Sequence, residues 1–317
     1  MTNAHKSAAD ESSCEQLISH GAQAHVGYEE RVHLIKSRLR EEKDVPGASV
    51  QQSIALLDQL AATEIGRFLI ENRGLNAYWT HQLVTYRPGT MAARSPTDFE
   101  YRIFETLPAA LATRERFGIF QQHLQGLLRP GAVLASIPCG LMGELLLLDY
   151  AGFDDIKLIG IDLDQTALDG ALAVARERGL TDRVELRRAD AWACGLYADV
   201  DVLTSNGLNI YEADDARVTA LYRAFFDALK PGGTLITSFL APPPTLSPQS
   251  PWNMAEIDKE ALSLQQVLFV RLIEAKWSAF RTHDQTRQQL EAAGFCCIEF
   301  IDDRARMFPT VVAKKTG

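Results

Sequence analysis

Two aspartates stand where the chain leaves an apolar run, a position that suits carboxylate chemistry. Asp162 ends the run LIGID, and Asp190 follows 28 residues later in the segment RRAD. A carboxylate at the C-terminal end of a parallel strand can accept hydrogen bonds from both hydroxyls of a ribose, and we interpret Asp162 in this way. Asp190 is placed to accept from the exocyclic amine of an adenine, with Ala191 and Trp192 supplying backbone and an apolar face.

Helix capping is the alternative interpretation of Asp162. Asp164 suits the cap better, because the next helical segment begins directly after it. A turn with two glycines, SIPCGLMG, precedes both aspartates. Gly140 and Gly143 would let a ligand contact backbone N–H groups at a helix N-terminus, although glycines near a turn also serve the turn alone. Asn206 follows a further apolar run, in the segment SNGLNIY.

Short apolar runs that alternate with helical segments must position these residues. Parallel strands require long right-handed crossovers, so the alternation predicts an α/β fold with a doubly wound, mostly parallel sheet of seven strands. The last two strands are joined by a short charged link and must be antiparallel. The helix that precedes these two strands is predicted to begin at Thr282, which forms a capping box with Gln285. The predicted strands are 132–137, 157–161, 184–186, 201–205, 234–239, 295–301 and 307–313.

The first 128 residues contain helical periodicity and no convincing strand. Apolar residues such as Leu57, Leu60 and Phe68 recur at spacings of three and four. We therefore predict a helical N-terminal cap over residues 1–108 and an α/β domain over 109–317. Residues 240–256 are an insertion that its prolines make stiff, and they form either a lid wall or a surface loop.

Composition and charge exclude several classes of protein. The chain of 317 residues has 32 basic and 41 acidic residues, and this acidic balance disfavours nucleic acid as a partner. The five cysteines show no zinc-ligand spacing, so we predict no metal site and a reducing, cytoplasmic location. No apolar stretch reaches the ~20 residues of a membrane helix, and the first residues show no signal-peptide pattern.

The order of these motifs over residues 110–313 resembles the class I, Rossmann-like S-adenosylmethionine-dependent methyltransferases. In that family a glycine turn holds the methionine end of the cofactor, and acids after strands two and three hold ribose and adenine. Here SIPCGLMG, Asp162, Asp190, SNGLNIY and LKPGG follow in the family order. The resemblance implies S-adenosylmethionine as cofactor. The residues it implies as cofactor-binding are Ser136, Pro138, Cys139, Gly140, Gly143, Asp162, Leu163, Asp190, Ala191, Trp192 and Asn206.

The first motif departs from the family pattern. Ser136 stands where the family has an acid, Pro138 stands where it has the first glycine, and the following step is one residue longer. Cys139 occupies a position where the family often has Cys, and packing accounts for it. Either a group from the N-terminal helices replaces the missing carboxylate, or the cofactor binds weakly.

Substrate-side candidates come from segments that can overhang the strand ends. Tyr78, Trp79 and Tyr86 lie in one aromatic-rich segment, although aromatics at helical spacing are more often core. Tyr211 follows the fourth strand, where this fold brings substrate near the methyl group. His81 and His283 are weak candidates for a general base.

The implied function is in-line methyl transfer to a small organic molecule. The segment after the fourth strand contains no Asn/Asp-Pro-Pro-Tyr/Phe motif, which disfavours methylation of an adenine or glutamine amine. A nicotinamide dehydrogenase is one alternative, but the turn PCGLMG lacks the order of its glycine fingerprint. A non-catalytic binding protein on the same fold is another. The oligomeric state stays open, a homodimer being one arrangement.

Overall fold

A seven-stranded sheet forms the centre of the protein. The computed structural model describes residues 27–45, 48–91 and 98–317. The strands are β1 (Val133–Ser136), β2 (Lys157–Asp162), β3 (Val184–Arg188), β4 (Val200–Ser205), β5 (Leu229–Ser238), β6 (Cys296–Ile301) and β7 (Thr310–Lys314). Their spatial order is β3-β2-β1-β4-β5-β7-β6. The first five are parallel, and β7 is antiparallel to both β5 and β6, so the predicted fold class is confirmed.

The register of the central strands brings their C-terminal ends to one edge of the sheet. Leu134 of β1 pairs with Leu158 of β2 on one side and with Val202 of β4 on the other. All six residues of β4 are buried, as expected for a parallel strand covered by helices on both faces. The loops that leave this edge carry the polar motifs of the sequence.

The segment LKPGG lies inside β5, which differs from the predicted turn before that strand. Leu229 already pairs with Val200 of β4, and the register then shifts. Gly232 has a φ of +76°, a left-handed conformation that a bulge in a strand uses readily. Lys230 fixes the irregular stretch, since its Nζ lies 2.8 Å from Oδ2 of Asp201. Pro-Gly-Gly is compatible with a bulge as well as with a turn. Because Leu229 already pairs with β4, the segment forms an irregularity inside β5 and not a turn before it.

Helices cover both faces of the sheet and form a layer before β1. In the described residues they are α1 (Tyr28–Glu41), α2 (Val50–Ala61), α3 (Glu64–Asn72), α4 (Ala77–Thr85), α5 (Phe99–Glu105), α6 (Pro108–Leu127), α7 (Gly143–Leu146), α8 (Gln165–Glu177), α9 (Asp215–Ala228), α10 (Lys259–Gln266) and α11 (His283–Ala293). Asp164 caps α8, and Thr282 with Gln285 forms the predicted capping box of α11. None of these helices combines the length and the apolar character needed to cross a bilayer.

The N-terminal helices share their core with a segment from late in the chain. Helix α10 continues into a π-helical stretch, Val267–Leu272, whose Leu268 packs among Leu57, Leu60 and Leu69 of α2 and α3. The N-terminal layer is therefore closed by residues beyond β5. The domain boundary between residues 108 and 109 stays a prediction.

The proline-rich segment 240–256 packs against the molecule beyond the end of β5. Leu240 forms an isolated bridge with Phe280, and Nε1 of Trp252 donates to the carbonyl of Ala241 at 3.1 Å. Leu240 and Ile257 belong to a small apolar cluster of their own. The segment does not line the cavity described below, so its placement favours the surface loop over the lid wall.

Candidate functional site

A cavity of about 670 Å³ opens between the C-terminal edge of the sheet and the N-terminal helices. This volume falls within the ~300–1,000 Å³ typical of small-molecule sites. We call its two walls the loop side and the cap side. The loop side consists of residues 138–144, 161–164 and 189–192. The cap side consists of cavity-lining residues from α3 to α6 together with Tyr211, Phe269, Trp277 and Phe308.

The loop after β1 approaches both β2 and α4 closely. The N–H of Cys139 donates to the carbonyl of Ile161 at 2.9 Å, and the peptide bond before Pro138 is cis. A Cβ on Gly143 would lie 2.9 Å from Nδ1 of His81, so only glycine fits without a shift of that side chain. This loop therefore joins the two walls of the cavity.

Asp162 is held at the cavity by the backbone around it. Its Oδ2 accepts from the N–H of Gly140 at 2.9 Å, and its Oδ1 accepts from the N–H of Asp164 at 3.0 Å. Only 9% of Asp162 is exposed, and it lines the cavity. The helix cap is supplied by Asp164, so the sequence interpretation that separated the two aspartates agrees with the geometry.

Asp190 lies beside Asp162 at the same edge of the sheet. Asp162 is in register with Arg188, and its carbonyl accepts from the N–H of Ala189 at 3.2 Å. Oδ1 of Asp190 accepts from the N–H of Trp192 at 3.1 Å, which holds the next turn. Both aspartates line one cavity and are neither remote from each other nor turned to bulk solvent.

The acid missing from the first motif is present at another place. Oε1 of Glu144 lies 2.5 Å from Oγ of Ser136 and 3.0 Å from Oγ1 of Thr204, and both hydroxyls are placed to donate. Glu144 is 7% exposed, lines the cavity, and forms no ion pair with a cation in the described part of the chain. Burial raises the pKa of its carboxyl, against the opposing effect of the Ser136 hydrogen bond. Ser136 itself is buried behind it.

One of the two sequence expectations was that a group from the N-terminal helices replaces the missing carboxylate. The buried carboxylate next to Ser136 instead belongs to Glu144 of α7, directly after the glycine turn. An acid eight residues after Ser136 was a signal within the sequence, and the short length of α7 hid its direction. Because Glu144 reaches back across the loop, its carboxylate lies beside Ser136, the residue that stands at the position of the family's acid.

The remaining cofactor candidates also line the cavity. Pro138, Cys139 and Leu163 belong to the loop side, and Oδ1 of Asn206 accepts from Oγ of Ser238 at 3.3 Å. Burial raises the pKa of the Cys139 thiol, which agrees with its interpretation as a packed residue. The cofactor-binding role of the whole set stays a prediction that their placement supports.

The aromatic segment of α4 is placed differently from the substrate prediction. Tyr78 is 49% exposed, and Trp79 is buried in the core of the N-terminal helices. The hydroxyl of Tyr86 donates to the carboxylate of Glu105. The structure does not bring these three side chains into the cavity. Tyr78 faces outward, Trp79 packs among the N-terminal helices, and Tyr86 follows the end of α4. Tyr211 does line the cavity.

The two candidate histidines separate in the same way. His81 lines the cavity beside Gly143, and burial lowers its pKa. His283 lies at the start of α11, where Nε2 is 3.2 Å from Oδ1 of Asp302 and the ring packs between Phe239 and Phe300. Only His81 is placed where it can contact a ligand of the cavity.

The cap side carries a buried cation that the sequence prediction missed. Arg116 of α6 is 5% exposed and lines the cavity, with its guanidinium 4.9 Å from the ring centre of Phe308. The sequence feature that could have identified Arg116 is a charged residue on the apolar face of a predicted helix, between Ala112 and Phe120. In the described residues, no group of three His, Cys, Asp or Glu side chains has the arrangement of a metal site.

Comparison with solved structures gives a strong likeness as well as distant ones. Neither a protein-family model nor a curated protein matches the chain. A solved structure described as a possible exported protein from Bordetella parapertussis is 54% identical, covers 92% of this chain and 96% of that chain, and has a TM-score of 0.87. The S-adenosylmethionine-dependent methyltransferase SibL, in its apo form, is 16% identical over 83% of this chain and 74% of its own, with a TM-score of 0.51.

These likenesses bear on the predictions made from the sequence. The predicted cytoplasmic location is contradicted, because the relative at 54% identity is described as a possible exported protein. The likeness to SibL concerns the fold, which agrees with the strand order found here. The chain thus belongs to the same family as the Bordetella parapertussis protein, and its fold is that of the class I S-adenosylmethionine-dependent methyltransferases.

Proposed function

We propose that the protein transfers a methyl group from S-adenosylmethionine to a small organic molecule bound against the cap side of the cavity. One observation carries the proposal. Asp162, which the sequence assigns to ribose, ends β2, and Asp190, assigned to adenine, follows the neighbouring strand β3 by two residues, and both line the same cavity. The class I fold supports the same reaction class, and the apolar cap side supports an organic acceptor.

The loop side fits a nucleoside in shape and charge. Asp162 is oriented by two backbone hydrogen bonds, so it can meet ribose hydroxyls without further ordering. The ring of Trp192 is fixed by the bond from its Nε1 to the carbonyl of Arg217, at 2.8 Å. This fixed aromatic surface next to Asp190 suits the face of a purine.

The methionine end of the cofactor would lie at Glu144. A buried carboxylate without a cationic partner is costly, and the ammonium group of a bound methionine moiety supplies the opposite charge. Ser136 and Thr204 would then orient Glu144 toward that ammonium group. The altered first motif keeps a carboxylate in this way, which weakens the case for a non-catalytic binding protein.

S-adenosylmethionine, when bound, supplies an electrophilic methyl group for in-line displacement by a nucleophile. The residues of this chain have to align the acceptor and exclude water. The apolar walls of α4 and α6 serve the second task. His81 is neutral at neutral pH because burial lowers its pKa, so it can accept a proton from an acceptor that carries one.

Calorimetric titration of the purified protein tests the cofactor. We expect S-adenosylmethionine and S-adenosylhomocysteine to bind and NAD not to bind. Binding of NAD without either adenosyl compound would overturn the proposal and favour a dehydrogenase. Release of S-adenosylhomocysteine with acceptor mixtures separates an enzyme from a binding protein.

A further inference from the structure

We propose that the cap side of the cavity binds an organic anion, an apolar molecule with one carboxylate, and that Arg116 is the residue that neutralises it. This inference rests on the proposed function, since the anion is the methyl acceptor. It concerns a cation that the fold buries on the cavity wall.

Arg116 has few partners within the protein. Its Nη1 donates to Oγ of Ser238 at the long distance of 3.4 Å, and its Nε is buried without a hydrogen-bond partner. It forms no ion pair with a carboxylate of the described residues. The nearby acid, Asp303, instead accepts from the N–H groups of Met307 and Phe308, at 3.3 and 2.7 Å. The charge of Asp303 acts on Arg116 through space and opposes the effect of burial on the pKa of Arg116, but no carboxylate of the described residues contacts the guanidinium.

Among the described residues two other arginines are buried, and they show what this fold does with a structural guanidinium. Arg271 donates to Glu42, Ser53 and two backbone carbonyls at 2.8–3.1 Å. Arg281 donates to Asp215 and to two backbone carbonyls at 2.7–2.9 Å. Every nitrogen of these two guanidinium groups has an acceptor, and neither residue lines the cavity. Arg116 differs from them in its missing partners and in its place on the cavity wall.

Arg116 remains a cation at working pH. Burial lowers its pKa to about 10, which still leaves it protonated near neutrality. Tyr211 lines the same side, and burial raises its pKa to about 12, so its hydroxyl stays a hydrogen-bond donor. A guanidinium and a phenol together offer donors and no basic acceptor. Such a pair suits a carboxylate, which guanidinium groups bind through two parallel hydrogen bonds.

The position of Arg116 separates it from the proposed nucleoside site. Ser238, its hydrogen-bond partner, ends β5, whereas Asp162 ends β2. Three strand spacings separate β2 from β5, which is about 14 Å at ~4.8 Å each. The anion is thus expected beyond the cofactor, on the side of β4 and β5.

Most of the rest of the cap side is apolar and would contact the body of the ligand, with Thr80, His81 and Thr113 as polar exceptions. Leu69, Leu83, Val84, Ile103 and Leu107 line it from α3 to α6 and their links. An inorganic anion would leave this surface in contact with water. The combination of one buried cation and an aliphatic wall therefore selects an organic anion.

Binding to the protein loaded with S-adenosylhomocysteine tests the inference. Octanoate and cinnamate are titrated by calorimetry beside their neutral amides, octanamide and cinnamamide. We expect each carboxylate to bind at least tenfold more tightly than its amide. Equal binding of the two forms, or no binding of either carboxylate, would overturn the inference while leaving cofactor binding intact.

Variants assign the preference to Arg116. Arg116→Gln should abolish it, Arg116→Lys should retain part of it, and Tyr211→Phe should reduce it about threefold. Arg114→Gln is the matched control, because Arg114 lies on the same helix and donates to the carbonyls of Leu83 and Phe104. A preference that survives in folded Arg116→Gln would overturn the assignment. If Arg116→Gln does not fold, the two single variants Arg116→Lys and Tyr211→Phe decide the matter. A preference for the carboxylate over the amide that is unchanged in both would overturn the assignment.

A second pair of ligands distinguishes the acceptor from the cofactor as the source of the carboxylate. S-adenosylhomocysteine carries an amino-acid carboxylate, and 5′-methylthioadenosine lacks it. We expect Arg116→Gln to bind both as the unsubstituted protein does. A selective loss of S-adenosylhomocysteine binding would show that Arg116 holds the cofactor and would overturn the inference. Failure of the unsubstituted protein to bind either adenosyl compound would instead overturn the proposed function.

Discussion

The two walls of the cavity are built on different principles. On the loop side, Asp162 and Asp190 follow neighbouring strands, and backbone N–H groups hold both carboxylates. On the cap side, the lining residues come from separate helices and from loops late in the chain, and the buried charge of Arg116 has little support. On the loop side the backbone orients Asp162 and Asp190 before a ligand binds, whereas Arg116 on the cap side has no such backbone support. Glu144 on the loop side resembles Arg116 in having no ion-pair partner among the described residues.

This difference bears on how each wall can change. Side chains held by backbone hydrogen bonds tolerate little substitution, because the loop moves with them. Side chains that project from helices into a cavity can be exchanged with less effect on the fold. The loop side is therefore suited to one constant ligand, and the cap side is where specificity for an acceptor would reside.

Replacing Asp162 should give the largest loss of cofactor binding. Asp162→Ala removes the proposed ribose acceptor and also the acceptor for the N–H of Gly140, so we expect affinity for S-adenosylhomocysteine to fall by ~1.5–3 kcal/mol. Calorimetry measures it. Asp164→Ala is the comparison, since it removes the cap of α8, worth ~1 kcal/mol of stability, and keeps the carboxylate of Asp162, so we expect a smaller loss of affinity. Equal losses of affinity in the two variants would contradict the assignment of Asp162 as the ribose-binding residue and of Asp164 as the helix cap.

Adding a methyl group at Gly143, where the two walls meet, should lower the stability of the protein. In Gly143→Ala the new Cβ would lie 2.9 Å from Nδ1 of His81, and overpacking of this kind costs ~1–3 kcal/mol of unfolding free energy. Urea denaturation gives the value. The double variant Gly143→Ala/His81→Ala should recover part of the loss. Strictly additive effects would contradict the close approach of α4 to the loop.

Replacing Glu144 should weaken binding selectively. Glu144→Gln keeps the shape of the side chain and removes its charge, so we expect S-adenosylhomocysteine to bind about tenfold less tightly, or ~1.4 kcal/mol. The control ligand is 5′-methylthioadenosine, which lacks the ammonium group and should bind Glu144→Gln as it binds the unsubstituted protein. A loss shared by both ligands would show a change in the loop as a whole rather than in one ion pair.

The loop side was largely predictable because its chemistry is local. Asp162 ends β2 and Asp190 follows β3 by two residues, so the strand order fixes where these two aspartates meet. The exchange of the first acid was not predictable in full. Glu144 is visible in the sequence, but its direction depends on the short helix α7 and on contact with Ser136 and Thr204.

The cap side was poorly predictable because its chemistry is tertiary. Helical periodicity predicts that Trp79 and Arg116 lie on buried faces, but it does not say which buried face meets a cavity. Trp79 turns into the helical core, and Arg116 meets the strand ends. Residues such as Phe308, from the link before β7, join the wall only through the antiparallel end of the sheet. Aromatic density alone therefore does not identify which residues of α4 line the cavity.

The pH dependence of stability should report the unpaired state of Glu144. Burial raises the pKa of its carboxyl in the folded protein above its ordinary value of ~4.3. Between these two pKa values the folded state holds a proton that the unfolded state has lost, so this residue makes stability fall as pH rises through that interval. Glu144→Gln cannot lose that proton. The unfolding free energy of the unsubstituted protein, relative to Glu144→Gln, should therefore decrease from pH 4 upward and level off above the raised pKa, as urea denaturation at each pH would show. If this difference in unfolding free energy is constant or rises with pH, a cation of the protein already neutralises Glu144. Glu144 would then not need the ammonium group of a bound cofactor as its partner.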